Sequence, residues 1–209
     1  MRPIFLAIVG GSCSGKSCLA TDLSKAIPSR VARLSLDDFY RDRSHLSSER
    51  RSRINFDHPR AIDWPLFYQA LLRLQAGKPV KAPCYDFKTH TRLRKQKLIH
   101  PKSFVVVDGL WLLWRPRIRR LFDFSIFLNC SRSTRFRRRL ARDRLNRGRT
   151  PASIRDQFNR SVDPMHRKFV LPQARHAHLI LERRFRERQV HALATRLSNP
   201  LSATETLKG

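Results

Sequence analysis

The sequence predicts an α/β fold, a doubly wound parallel sheet with helices on both faces. Three observations lead there. Short apolar runs alternate with stretches of helical periodicity along most of the 209 residues. Two of those runs, "SFVVVDGLWLL" and "FDFSIFLNC", place apolar side chains at consecutive positions, as strands buried on both faces require. The first run, "PIFLAIVG", passes straight into a turn of small residues and then a helical pattern.

Each element follows in order. "PIFLAIVG" is the first strand; its apolar core is too short for an export signal and is preceded by a single Arg. Residues 16–27 form a helix with Leu19, Leu23 and Ile27 on one face. "VARLSL" is the second strand and ends at Asp37 and Asp38. Residues 41–60 are polar and basic, a loop or short helix. Asp63 caps a helix carrying Leu66, Ala70 and Leu74 that stops at Gly77. Residues 79–100 alternate as a β-hairpin does. After the two doubly buried strands comes an arginine-laden helix over about 133–146, the link "RGRTP", and a helix over about 152–168. "HLILE" is the last strand. A short helix then fades into the polar tail 199–209, expected to be mobile. Residues 1–198 thus read as one domain.

Composition narrows the function. Lys and Arg number 44 against 16 Asp and Glu, a formal charge of +28, which attracts polyanions in a nonspecific, salt-sensitive way. No RNA-recognition motif, zinc finger or RG-rich tail is present, so no specific nucleic-acid partner is expected. No apolar run reaches the roughly 18 residues of a membrane-spanning helix. The four cysteines show neither a CxxC pair nor zinc-ligand spacing and read as reduced thiols of a cytoplasmic protein.

The turn after the first strand fits G-x-x-x-x-G-K-[ST] through Gly10, Gly15, Lys16 and Ser17. With Gly11, Ser12, Cys13, Ser14 and Cys18 it forms a phosphate loop of the P-loop NTPase type. Its backbone N–H groups turn inward around a polyphosphate at the positive end of the following helix. Lys16 reaches the terminal phosphates, and the Ser17 hydroxyl is a ligand for Mg2+. The strand beside this loop ends at Asp37, a natural place for a base acting on an acceptor hydroxyl; capping of the next segment by Asp37 or Asp38 is the alternative. Asp108, after "FVVV", stands where a magnesium-shell carboxylate sits, and Asp37 is a second candidate for that shell. Half of the residues from Arg132 to Arg149 are arginine, so this helix supplies cations. Arg135, Arg139 and Arg142 share one face. Arg147 and Arg149 flank Gly148 in a stretch, about 143–152, suited to close as an Arg-rich lid.

Seven segments, "GGSCSGKS", "LDDFYRD", "NFDHPRAID", "YDFKTHTR", "VVDGLWLL", "LARDRLNRGR" and "HRKFVLPQARHAHLIL", resemble the uridine–cytidine kinase family in the family's order. The resemblance implies that Asp37 takes the proton of a nucleoside 5′-hydroxyl and that Asp57 and Arg139 hold the ribose hydroxyls. It implies a pyrimidine pocket of Tyr85, Phe87, His90 and Arg149, with Tyr40 as a wall and the hairpin as cover. Arg142 and Arg147 match arginines that neutralise phosphates. The family usually has Glu-Gly-Ile where this chain has Asp108-Gly109-Leu110, so metal contact here runs through water or a shifted loop. The expected reaction is transfer of the γ-phosphate of ATP or GTP, with Mg2+, to uridine or cytidine. Homo-oligomers occur in the family, although the sequence shows no readable interface. A kinase of another ribosyl alcohol, such as nicotinamide riboside or ribulose phosphate, is the alternative enzyme. A basic nucleic-acid-binding protein with a vestigial phosphate loop is the alternative from another class.

Overall fold

The computed structural model describes residues 2–27, 30–182, 190–192 and 194–195. In chain order the elements are β1 (Ile4–Gly10), α1 (Lys16–Ala26), β2 (Val31–Ser35), α2 (Ser48–Ser52), α3 (Trp64–Gln75), β3 (Val80–Asp86), β4 (Thr91–Ile99), β5 (Phe104–Gly109), α4 (Pro116–Arg119), β6 (Phe124–Leu128), α5 (Arg132–Arg147), α6 (Pro151–Gln157) and β7 (Leu179–Leu181). Five strands form a parallel sheet in the order β2-β5-β1-β6-β7, and β3 and β4 pair antiparallel as a separate hairpin.

The period-2 alternation of strand side chains divides the core between the two faces of the sheet. Phe5, Ala7, Val9, Val105 and Val107 point to the side covered by α3 and the 111–113 turn. Leu6, Ile8, Val106 and Ile126 point to the side covered by Leu19 and Leu23 of α1. Val190 and Ala194, from the described part of the expected C-terminal helix, join this second layer. The tail 199–209 lies outside the described residues.

Parallel register brings the strand ends together. Ser35 and Ile8 both face Asp108 across the ladder, and Gly10 faces Leu128. The carboxyl ends of β1, β2, β5 and β6 therefore open on one edge, where ligands bind in such sheets.

Several expectations need correction. The "SFVVVDGLWLL" run leaves the sheet at Gly109, because β1 and β2 end there too and no ladder partner remains. Trp111, Leu112 and Leu113 are instead buried in a turn. Gly109 packs so tightly that a Cβ would lie 2.5 Å from Leu36 Cβ. Gly109→Ala is thus expected to cost about 1–3 kcal/mol, read by urea unfolding; an unchanged midpoint would refute the close packing. Of the three apolar residues named on α3, Leu66 is exposed, and Trp64, Phe67 and Leu71 fill the buried face with Ala70 and Leu74. The helix expected over 152–168 extends through 151–176 as short α, π and 3-10 pieces. Pro164 and Pro172 lack the N–H an α-helical ladder needs, and the altered turns accommodate them.

The hairpin is tied to the segment after β2. Arg92 Nε donates to Tyr40 O at 2.8 Å and its Nη2 pairs with Asp63 at 3.1 Å, while Lys97 pairs with Asp38 at 3.2 Å. No described helix is long and apolar enough to cross a membrane.

Candidate active site

The loop between β1 and α1 is shaped for an anion. Gly15 sits at the N-cap of α1 with φ 108°, a left-handed conformation that favours glycine, and no side chain caps the helix. The first-turn amides and the positive end of the helix therefore stay open to a ligand. Lys16 is buried, and its Nζ donates to Gly11 O at 3.0 Å. Burial pulls its ammonium below the usual lysine range, opposed by the charges of Asp37 and Asp108. Arg138 Nη1 buttresses the loop from α5, donating to Ser14 O at 3.1 Å and Cys13 O at 3.3 Å.

Two carboxylates flank Lys16. Asp37 lies in a 3-10 turn, Leu36–Phe39, whose cap is Ser35 Oγ accepting from Asp37 N at 3.3 Å. The capping alternative for Asp37 and Asp38 is thereby replaced: Ser35 caps, and Asp38 holds Lys97. Asp37 Oδ1 is buried without a hydrogen-bond partner. Burial raises the Asp37 carboxyl above its ordinary range; Lys16 and Arg142 oppose this, and Asp108 and Asp38 add to it. Asp108 accepts from Ser17 Oγ at 3.0 Å. This all-oxygen donor set suits Mg2+, a hard cation that takes one or two protein ligands and completes its shell with phosphate and water. No group of three or more His, Cys, Asp or Glu able to hold a metal occurs among the described residues.

The arginine helix is organised by one acid. Asp143 is fully buried; Arg142 Nε reaches its carboxylate at 2.8 Å, Arg139 Nε at 3.3 Å and Arg147 Nε at 3.5 Å. Burial pushes the Asp143 carboxyl up, but the three guanidinium groups together hold it below the ordinary range. Arg139 also donates to Ser12 Oγ at 3.1 Å and Gln157 Oε1 at 2.9 Å, joining helix, loop and α6.

Across from the phosphate loop stands an aromatic pocket. Tyr40 and Tyr85 rings are 5.1 Å apart, Phe87 closes on both, and Arg147 lies 5.1 Å over the Phe87 ring. His90 stacks on Phe56 at 4.1 Å. Burial, with Arg147 and Arg149 nearby, lowers the His90 pKa and favours the neutral imidazole. Asp57 Oδ2 accepts from Ser161 Oγ at 2.8 Å. One cleft of about 1290 Å³ runs from Ser12–Cys18 past Asp37 to this pocket. Five buried polar atoms without hydrogen-bond partners belong to its lining: Ser14 Oγ, Asp37 Oδ1, Tyr85 Oη, His90 Nδ1 and Arg139 Nε, the last at ion-pair distance from Asp143. Buried polar groups left unpaired are costly, so their concentration here marks a surface built to be completed by a ligand.

The sequence profile of the Phosphoribulokinase / Uridine kinase family matches residues 5–190. The chain belongs to this family. It is 38% identical to the uridine kinase of Alkaliphilus metalliredigens over 181 residues, 86% of this chain and 87% of that protein. It is 39% identical to the uridine kinase of Clostridium perfringens over the same shares. In fold it is similar to phosphoribulokinase from Rhodobacter spheroides, with a TM-score of 0.64 at 15% identity, over 84% of this chain and 68% of that one.

Within this phosphoribulokinase/uridine kinase member, most of the residues singled out in the sequence meet in the cleft. Ser12–Cys18, Asp37, Tyr40, Asp57, Tyr85, Phe87, His90, Arg139, Arg142 and Arg147 all line it. Gly10 and Gly11 lie beneath the loop, against Leu128 and His166. Arg149 does not join the base pocket: its guanidinium is taken by Gln157 and, at 3.0 Å, by Ser153 Oγ. In the segment 143–152, α5 runs on to Arg147 and Thr150 caps α6 directly. Arg135 departs from its helix-face neighbours and is buried in an ion pair with Asp163 at 2.8 Å. Arg132 also reaches Asp163, at 3.2 Å. Sequence reasoning missed Arg138, Asp143, Phe56 and Gln157. Asp143 alone left a signal, as the single acid within the arginine run.

Proposed function

We propose that this family member is a uridine/cytidine kinase, moving the γ-phosphoryl group of ATP or GTP to the 5′-hydroxyl of a pyrimidine ribonucleoside to give UMP or CMP. The observation that carries the reading is the single cleft in which unpaired Asp37 Oδ1 stands between the phosphate loop and an aromatic pocket with its own unpaired Tyr85 Oη and His90 Nδ1. The loop amides and Lys16 bind the donor phosphates. Asp37 accepts the proton of the 5′-hydroxyl as that oxygen bonds to the γ-phosphorus and the bond to the nucleoside diphosphate breaks. Arg142 and Arg147, oriented by Asp143, stabilise the charge spread over the moving group. Mg2+, held by Ser17 and Asp108 directly or through water, supplies neutralisation of the phosphate charge when bound. Asp57 and Arg139 orient the ribose. Tyr40, Tyr85 and Phe87 wall the base, and His90 meets its polar edge. Arg149 acts one step back, fixing Gln157, which in turn holds Arg139. The free thiols Cys13, Cys18, Cys84 and Cys130 suit a reducing, cytoplasmic setting, where the products serve pyrimidine salvage.

A coupled assay of ADP release tests the reading with uridine, cytidine, nicotinamide riboside and ribulose 5-phosphate. Turnover confined to the two pyrimidine nucleosides is expected; preference for either of the other alcohols would overturn it. His90→Ala is expected to raise KM for the nucleoside about tenfold with a smaller change in kcat, as loss of ground-state binding does. An unchanged KM would take His90 out of the base pocket.

A further inference from the structure

Ten of the described arginines have acidic partners, and the cations of one face are not among them. Arg60, Arg115, Arg117, Arg119, Lys168 and Arg175 form no ion pair among the described residues. Three of them, Arg115, Arg117 and Lys168, lie over aromatic rings. Arg117 lies 4.3 Å over the Tyr68 ring and Arg115 4.9 Å over Trp64. Trp114 meets Phe169 edge-on at 5.1 Å, Lys168 lies 5.4 Å over that same ring, and His58 touches its far side at 4.7 Å. Arg119 Nη1 reaches back to Leu113 O at 3.3 Å. Among these cations Trp114 keeps 40% of its surface open. None of these residues lines the cleft.

Two histidines report the potential of the face. His58 is held below its ordinary pKa by partial burial and by Arg60 and Lys168, and His176 by burial and by Arg119 and Arg175. Positive charge is therefore concentrated here without an acidic ion-pair partner among the described residues, and two of the guanidinium groups, Arg115 and Arg117, are braced on rings.

We propose that this face binds single-stranded nucleic acid without sequence preference, its phosphates running over the Arg and Lys side chains and one unpaired base stacking on Trp114. Charge complementarity selects a polyanion, and the open indole among the cations selects one with exposed π-faces. Duplex nucleic acid offers the charge without the free base, and an anionic membrane offers the charge without the stack. The site is independent of phosphoryl transfer.

The test is fluorescence anisotropy of labelled oligothymidylate with the full chain. Binding is expected to persist at saturating ATP and to exceed that of a duplex of equal length. Trp114→Ala is expected to weaken it about tenfold through lost stacking, with kinase turnover unchanged, while Trp114→Phe, which keeps a ring against Phe169, stays near the parent. The double variant Arg115→Ala, Arg117→Ala is expected to flatten the dependence of log K on log salt by about 1.4, two single-strand phosphate contacts. Displacement of the oligonucleotide by ATP would overturn the proposal by moving the contact to the phosphate loop. Equal affinity for duplex or for anionic phospholipid vesicles, an unchanged Trp114→Ala, or equal losses in Trp114→Ala and Trp114→Phe would overturn it as well.

Discussion

Asp37→Asn is expected to lower kcat by about 10²–10⁴, the share of a general base, while nucleotide affinity stays near that of the parent. Asparagine keeps the size of the side chain and loses its ability to accept the 5′-hydroxyl proton. Stability separates this outcome from simple damage. The folded Asp37 carboxyl titrates above its unfolded value of 3.8 because burial disfavours its charge. Between those two pKa values the folded state holds more proton than the unfolded one, so stability falls as pH rises through that window. A neutral amide removes that cost, and the melting temperature of Asp37→Asn should match or exceed the parent's. The acidic limb of kcat/KM should likewise lie above pH 3.8, since only the ionised carboxylate accepts the proton. Full turnover in the variant, or lost turnover accompanied by a lowered melting temperature, would remove Asp37 from the role.

The largest expected stability effect is at Asp143. Asp143→Ala strips the shared counter-ion from Arg139, Arg142 and Arg147, of which Arg139 is itself buried. Breaking a buried ion pair by deleting one partner costs about 3–5 kcal/mol, because the remaining charge is left uncompensated. Urea unfolding reads the loss, and turnover should fall with it as the arginines lose their orientation. The pH dependence has the opposite sign from that of Asp37. The folded Asp143 carboxyl titrates below its unfolded value of 3.8, so its stabilisation is complete above that value and disappears as pH falls through the folded pKa. The gap between the parent and Asp143→Asn should therefore close in acid. A cost under about 1 kcal/mol at neutral pH would place the pairs with weak surface ion pairs and remove Asp143 as organiser.

How much of this could be read from the chain follows from the range of each interaction. The phosphate loop is a local object: its glycines, Lys16 and Ser17 act within a few residues of one another, so spacing suffices. Strands β1 and β5 were legible because burial on both faces leaves an uninterrupted apolar run, and the hairpin because its strands alternate. The arginines were not separable in this way. Arg135, Arg138, Arg139 and Arg142 have the same chemistry, and their different roles depend on Asp163, the loop carbonyls, Ser12 and Asp143, partners that only the folded chain brings near. Arg149 was misplaced for the same reason, since Gln157 competes for it from the next helix. Leu66 shows a related limit: its apolar character fits a buried face, but Trp64, Phe67 and Leu71 fill that face and leave it outside.

The clasp of Lys97 on Asp38 and of Arg92 on Tyr40 O joins the hairpin over the aromatic pocket to the short turn bearing Asp37, the proposed proton acceptor. Displacing the hairpin would drag on that turn, so under the proposed roles opening the pocket and displacing Asp37 are coupled. Amide exchange should accordingly release residues 36–39 and the hairpin together as one unit, and separate release would show that the two move apart.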